Sequence, residues 1–173
     1  MKMKAKTLIL TVFLASMLTF SLPLVTAANT NETWYTDGGY YYDLVAGKNT
    51  VVGEIEIDYD GTEVTVLLTM ENGWTLAETH IHIADELTGI PQTGSGNPIP
   101  GKFEDNQVHS AATTYSFSKD ISGMTFPVCI AIHAVVQKNS CRETAWGGAC
   151  APSTTGYFPG KNWAIYIIWE PDA

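Results

Sequence analysis

Short stretches in which apolar and polar residues alternate recur along most of the chain. In VVGEIEIDY, residues 51–59, isoleucine and acidic residues alternate, and Asp60-Gly61 separates this segment from TEVTVLLTM, residues 62–70. A period of two places successive side chains on opposite faces of a β-strand. Asp-Gly between two such segments is typical of a tight hairpin turn. The pattern therefore predicts a β-hairpin over residues 51–70.

The same signals predict most of the remaining regular structure to be strand. Further candidate strands cover residues 40–45, 78–84, 113–118, 128–136 and 163–169. No stretch of useful length has the i, i+3, i+4, i+7 spacing of an amphipathic helix. About seven short strands separated by turns predict an all-β fold, an antiparallel β-sandwich, with a closed barrel as the alternative. Residues 85–112 and 137–161 are predicted to be two long loops, a kind of segment that often carries function.

Residues 1–27 have the parts of a secretory signal peptide. A lysine-rich start precedes an apolar run over residues 8–24, and Val25-Thr26-Ala27 offers small residues at the −3 and −1 positions of a cleavage site. The alternative is an uncleaved anchor, but a run of about 17 residues that contains Pro23 is short for a membrane span. We predict cleavage after Ala27, a single β-sandwich domain over residues 28–173, and no membrane span in the mature chain.

Composition narrows the classes of partner. The 173 residues include 9 Lys and Arg against 18 Asp and Glu, a net charge of −9, and 45% hydrophobic residues. This hydrophobic content excludes an intrinsically disordered chain. The acidic balance argues against nucleic acid or an anionic membrane as a partner, because both require basic patches. We therefore expect a secreted or cell-surface protein whose partner is an extracellular ligand or glycan.

Three cysteines lie in the predicted mature chain, where export permits disulfides. Cys141 and Cys150 flank a short segment that contains glycine, and we predict that they pair, closing a loop of about ten residues. Cys129 lies within the apolar run VCIAIHAVV and is predicted to be a buried thiol. A bond between Cys129 and Cys141, with Cys150 free, is the alternative.

Histidines provide the strongest candidate chemistry. In ETHIHIA, His80 and His82 would share one face of a strand, with side chains about 6.6 Å apart, and Glu78 would lie on the same face. His133 lies in a second predicted strand. If the two strands are neighbours, Glu78, His80, His82 and His133 form a transition-metal site, for which zinc or copper is the expected ion. A polar or structural role for these histidines is the alternative.

Aromatic residues provide a second candidate site. Trp146 lies in the segment between two cysteines, close to Glu143, and Trp34 lies near the predicted mature N-terminus. Flat aromatic rings beside carboxylates are typical of sugar-binding faces, whereas tryptophans within strands usually fill the core. Trp146, Glu143 and Trp34 are therefore predicted as ligand-binding residues, with a carbohydrate as the candidate ligand.

Five motifs occur in a fixed order between residues 51 and 166. They are GWTLAETHIHIA, IPQTGSGNPIPGKF, IAIHAVV, ETAWGGAC and FPGKNWAIY. In this series the chain resembles an uncharacterised family of secreted microbial β-rich domains. The resemblance implies an extracellular β-rich module, and it implies no activity and no catalytic or binding residues.

Catalytic templates are largely missing from the sequence. It contains no Gly-x-Ser-x-Gly, no glycine-rich phosphate loop and no His-Glu-x-x-His. We therefore predict a secreted or cell-surface binding module rather than an enzyme. The alternatives are a transition-metal-binding protein, with or without hydrolytic chemistry at the histidines, and a structural subunit of a surface layer or filament.

Overall fold

The computed structural model describes residues 35–36, 39–148 and 154–172, and the regular structure there is almost entirely β-strand. The strands are β1 (Tyr35–Thr36), β2 (Gly39–Ala46), β3 (Thr50–Tyr59), β4 (Glu63–Met70), β5 (Thr75–Ala84), β6 (Asp105–Ala112), β7 (Thr114–Asp120), β8 (Val128–Lys138), β9 (Cys141–Gly147), β10 (Thr155–Tyr157) and β11 (Ile165–Trp169). Two short 3-10 helices cover Leu87–Gly89 and Pro100–Lys102. Within these residues, no helix has the length and apolar character needed to cross a membrane.

Strand β8 is the branch point of the sheet. One edge of β8 pairs antiparallel with β5, which pairs in turn with β6. The other edge pairs with β11 near the start of β8 and with β9 near its end. From β9 the sheet continues through β2, β3 and β4 to β7, while β10 pairs with β11 and β1 with β2. The histidine-bearing strands β5 and β8 are therefore direct neighbours.

Strands β6 and β7 form one bent path that joins the two ends of the sheet. Strand β6 pairs with β5 as far as Ala112, and β7 pairs with β4 from Thr114 onward. Just before this change of partner, Ala111 has a left-handed backbone with φ of 56°. The chain changes partner at this corner, so the sheet wraps into a nearly closed, barrel-like sandwich. The predicted all-β antiparallel sandwich is confirmed.

The main core lies between the inward faces of the sandwich. Ile55 of β3 and Val64 and Val66 of β4 are fully buried, while Glu54 and Glu63, next to them in sequence, are exposed. Burying one such aliphatic side chain stabilises the fold by roughly 1.5–3 kcal/mol. The alternation seen in the sequence therefore sets which face of the β3–β4 hairpin points inward.

A second apolar layer covers part of the outer face of β5 and β8, the face turned away from the main core. Two loops, residues 85–104 and 158–164, supply much of this layer, which we call the loop layer. With the strand residues beneath them, the buried members are Ala84, Ile90, Phe103, Cys129, Ala131, Trp146, Phe158, Ala164 and Ile165. Strand β8 is thus buried on both faces, which explains why its sequence is mostly apolar.

The two predicted loops contain strands that the sequence pattern did not indicate. Strand β6 lies within residues 85–112, and β9 and β10 lie within residues 137–161. Strand β6 lies at the end of the β8–β5–β6 ladder and is mostly exposed, and β9 begins with four exposed residues. Alternation marks a strand only where one of its faces is buried. The described residues therefore hold eleven strands instead of about seven.

The structure describes two of the three cysteines, Cys129 and Cys141, and so tests part of the disulfide prediction. Cys129 is a buried free thiol, as predicted, and Cys141 is an exposed free thiol. Cys141 pairs with Lys138, nine residues along β8 from Cys129, a distance of about 30 Å. The alternative Cys129–Cys141 bond is therefore wrong. No disulfide is seen in the described part of the chain. Cys150 lies outside that part, so its bond with Cys141 stays a prediction.

Candidate functional site

Two histidines lie side by side on the outer face. The β5–β8 register places His80 directly opposite His133, and their ring centres are 5.2 Å apart. Alternation along β5 directs Thr79 and Ile81, both fully buried, to the opposite face. The sequence left open whether these two strands are neighbours, and the register shows that they are, with His80 and His133 on one face.

Asn106 of β6 fixes the orientation and the tautomer of His80. Its amide Nδ2 donates a hydrogen bond to the carbonyl of Phe103, so the amide oxygen faces the imidazole. His80 Nδ1 lies 2.6 Å from that oxygen and must donate to it. In the neutral ring, Nε2 therefore carries the lone pair and is free to accept a bond.

Glu78 connects His80 to an arginine. Glu78 Oε2 lies 3.6 Å from His80 Nε2, and Arg142 donates to Glu78 Oε1 at 2.5 Å. The side chains of Glu78 and Arg142 are 34% and 57% exposed, against 14% for His80. Arg142, the only arginine in the sequence, thus holds the carboxylate beside the imidazole and keeps it reachable from solvent.

His133 is the buried member of the group. Only 9% of it is exposed, and its Nδ1 has no hydrogen-bond partner among the described residues. Its ring lies against Trp146, with centres 4.8 Å apart. Burial, and then the neighbouring His80, lower the pKa of His133 to about 4, so the ring is neutral at pH 7.

These side chains form one continuous group, the His80 cluster, made of Glu78, His80, Asn106, His133 and Arg142. Its members come from four adjacent strands, β6, β5, β8 and β9. Asn106 and Arg142 were not predicted, because both lie in segments that the sequence indicated as loops. Only the strand register reveals that they are neighbours of His80.

His82 lies outside the His80 cluster. Its Nδ1 accepts a hydrogen bond from the backbone N–H of Glu104 at 3.1 Å, and its ring packs on Phe103. Its partner on β8 is Ala131. Burial beneath the loop layer lowers the pKa of His82.

The predicted four-residue metal site is therefore not assembled from Glu78, His80, His82 and His133. In the described part of the chain, no group of three or more His, Cys, Asp or Glu residues stands in position to hold a metal ion. The physical reason is local. His82 Nδ1 is occupied by the backbone N–H of Glu104 and its ring packs on Phe103, while Asn106 holds His80 Nδ1.

The predicted sugar-binding set does not form either. Trp146 is only 5% exposed, because its ring is packed between those of His133 and Phe158. Glu143 is exposed, but it lies an odd number of residues from Trp146 along β9 and so faces the opposite way. Trp34 lies outside the described residues. The expectation that Trp146 is an exposed binding residue is wrong.

A second polar group, unnoticed in the sequence, lies where β6 faces β7. The Tyr115 hydroxyl donates to both carboxylate oxygens of Asp105, at 2.9 and 3.0 Å, although Asp105 is only 7% exposed. His109 Nε2 lies 2.8 Å from Thr79 Oγ1, and its ring lies against Tyr115. Burial, and then the Asp105 bond, raise the pKa of Tyr115, and burial lowers that of His109. We call this the Asp105 cluster.

A scan against protein-family models, a search of curated proteins and a search of solved structures found no match to this chain. The function is therefore inferred from the chemistry and geometry of the site.

Proposed function

We propose that the protein is an exported, secreted or cell-surface binding module whose ligand-binding surface is the His80 cluster. The observation that carries the proposal is the contrast within one sheet face. The loop layer covers one end of the outer face of β5 and β8 with apolar side chains, and the other end bears the mutually bonded polar side chains of the His80 cluster.

The proposed surface is rigid before a ligand arrives. Its side chains stand on paired strands, and Asn106, Glu78 and Arg142 are each held by a hydrogen bond or an ion pair. A group that is already ordered loses little conformational entropy on binding, which raises affinity. Rigid strands that carry partly exposed polar groups support a binding site better than a merely solvated surface does.

A glycan is the ligand we propose to test first. Carboxylate, guanidinium and amide groups offer several acceptors and donors at fixed positions, and sugar hydroxyls can both donate and accept. The acidic character of the chain, with a net charge of −9, argues against polyanionic ligands. Export of the chain rests on the predicted signal peptide over residues 1–27.

The test is a glycan array probed with the labelled exported protein in buffer that contains a chelator. We expect a bound glycan whose signal falls about tenfold in Asn106→Ala and Glu78→Gln, because each removes a hydrogen bond to a charged or polar ligand group. Asn49→Ala and Glu54→Gln are the matched controls, since both residues are exposed on other strands or turns.

Equal loss of signal in the controls would place the ligand elsewhere on the molecule. A wild-type protein that binds no glycan, and instead forms large ordered assemblies in light scattering, would favour the structural-subunit alternative. Either result would contradict the proposal that the His80 cluster is a glycan-binding surface.

A further inference from the structure

We propose that a cavity at the start of β8 binds a small organic amine, with the ammonium group on Asp85 and Glu86 and the apolar part against Phe126 and Ile168. The volume of this cavity is about 610 Å³. Sites that hold small molecules usually have volumes of roughly 300–1,000 Å³. The cavity and the His80 cluster share no residue, so a ligand can bind at either place without the other.

Neighbouring strands provide the floor of the cavity. Cys129 of β8 lies directly opposite Ile168 of β11, so their side chains share the outer face of the sheet, and both line the cavity. Cys129 is buried, whereas Ile168 is partly exposed. A ligand whose apolar group covers Ile168 removes apolar surface from water, which favours binding.

Phe126 forms a wall of the cavity that core contacts hold in place. Its ring packs edge-on against the rings of Tyr59 and Trp169, with centres 5.7 and 5.8 Å apart, and Trp169 is only 1% exposed. Phe126 itself is partly exposed and lines the cavity. An aromatic ring held in this way offers a fixed surface to an apolar group, and its face also attracts cations.

Two adjacent carboxylates give the cavity its charge. Asp85 and Glu86 follow β5 directly, and both are exposed residues that line the cavity. The backbone N–H of Thr125 donates to Asp85 Oδ1 at 2.7 Å, which fixes this carboxylate beside the segment that bears Phe126. A carboxylate accepts several hydrogen bonds, so a ligand can still reach Asp85. Among the described residues, no lysine or arginine lines the cavity to neutralise the two charges.

The Cys129 thiol connects the charged rim to the buried floor. Cys129 is only 9% exposed, yet it lines the cavity. Burial, and then the Glu86 carboxylate, raise the pKa of Cys129, so the charge of Glu86 acts on the floor of the cavity. The thiol is therefore neutral at pH 7. A ligand that fills the cavity covers this thiol, which makes Cys129 a chemical reporter of binding.

The combination of walls selects the class of ligand. Two carboxylates repel anions, and an ammonium group offers up to three donors to them. The apolar floor and the Phe126 ring favour a ligand that also carries an apolar group. In the described part of the chain, no group of three or more His, Cys, Asp or Glu residues stands in position to hold a metal ion. An organic amine with an apolar body therefore fits the cavity better than an inorganic cation does.

The experiment is a calorimetric titration of the exported protein with 2-phenylethylamine and, separately, with 2-phenylethanol and phenylacetate, which are neutral and anionic compounds of similar size. We expect one amine per chain, binding of the alcohol about tenfold weaker, and no binding of the anion. Glu86→Gln and Asp85→Asn each remove one charge with little change of shape, and each should weaken binding of the amine about tenfold. Glu63→Gln removes one charge from an exposed position on β4, and this matched control should bind as the wild type does.

A second measurement uses the wild type alone and so does not depend on the folding of a variant. In reduced protein, saturating 2-phenylethylamine should slow the alkylation of Cys129 by iodoacetamide about tenfold and leave that of Cys141 unchanged. A wild type that does not bind the amine overturns the proposal, as does equal affinity for the amine and the alcohol. A loss of affinity in Glu63→Gln equal to that in Glu86→Gln, or binding that leaves Cys129 unprotected, would place the amine elsewhere on the molecule and overturn it too.

Discussion

At the scale of single residues, position in the fold decides how two groups of the same chemical type behave. His80 and His82 stand two residues apart on β5, yet His80 faces a carboxylate and His82 lies beneath the loop layer. The cysteines show the same contrast, because Cys129 is buried near the start of β8 while Cys141 is exposed. Burial, and then the nearby Glu86 carboxylate, raise the pKa of Cys129. Residue type alone would not separate the members of either pair.

This contrast predicts different reactivity for the two thiols. Alkylation requires the thiolate, and the raised pKa of Cys129 keeps its thiol protonated as the pH rises toward the ordinary value for cysteine. In reduced native protein treated with iodoacetamide at pH 8, we expect Cys141 to be modified well before Cys129. Peptide mass spectrometry measures the extent at each site. Addition of urea should bring the two rates together, and equal rates in the native protein would contradict the burial of Cys129.

At the scale of strands, the sequence predicts elements that bury one face and misses those that do not. The β3–β4 hairpin was predictable, because Ile55 and Val66 are buried while Glu54 and Glu63 on the same two strands face water. Strand β6 bears Asn106 but has little buried surface, so its sequence carries no alternation. Periodicity predicted the face that His80 and His82 share on β5, but not that β8 is the neighbouring strand that places His133 opposite His80. The neighbours Asn106 and Arg142 could not be predicted either, because strand register is a property of long-range pairing.

We predict that the Asp105 cluster stabilises the corner between β6 and β7. Tyr115→Phe removes the hydroxyl that donates to the nearly buried Asp105 carboxylate. Loss of a hydrogen bond to a charged group costs about 1.5–3 kcal/mol, so we expect the free energy of unfolding to fall by that amount. Urea denaturation measures the change. Tyr157→Phe is the matched control, since Tyr157 is 75% exposed and should change little. Equal free energies of unfolding for the two variants would show that the Asp105 cluster does not stabilise the corner between β6 and β7.

At the scale of the whole molecule, apolar side chains cover one part of the β5 and β8 surface and polar side chains occupy the other part. The main core and the loop layer together bury both faces of β8, which makes the centre of the sheet rigid. The His80 cluster stands on the same strands, at the end that the loop layer leaves open. If the His80 cluster is the binding site that we propose, support from these strands would keep its geometry in the absence of a ligand.

The exported form of the molecule gives the last prediction, which concerns residues 1–27 outside the described part. If Val25-Thr26-Ala27 is a signal-peptidase site, expression of the full chain in a secreting host yields a protein that begins at Ala28. Intact-mass analysis of the culture medium measures the N-terminus. Ala27→Arg places a large charged side chain at the −1 position, so we expect unprocessed chain held at the membrane by its apolar run. Asn29→Gln, beyond the cleaved bond, is the control and should be processed normally. A full-length chain from the wild type would instead identify residues 8–24 as an anchor and place the His80 cluster at a membrane surface.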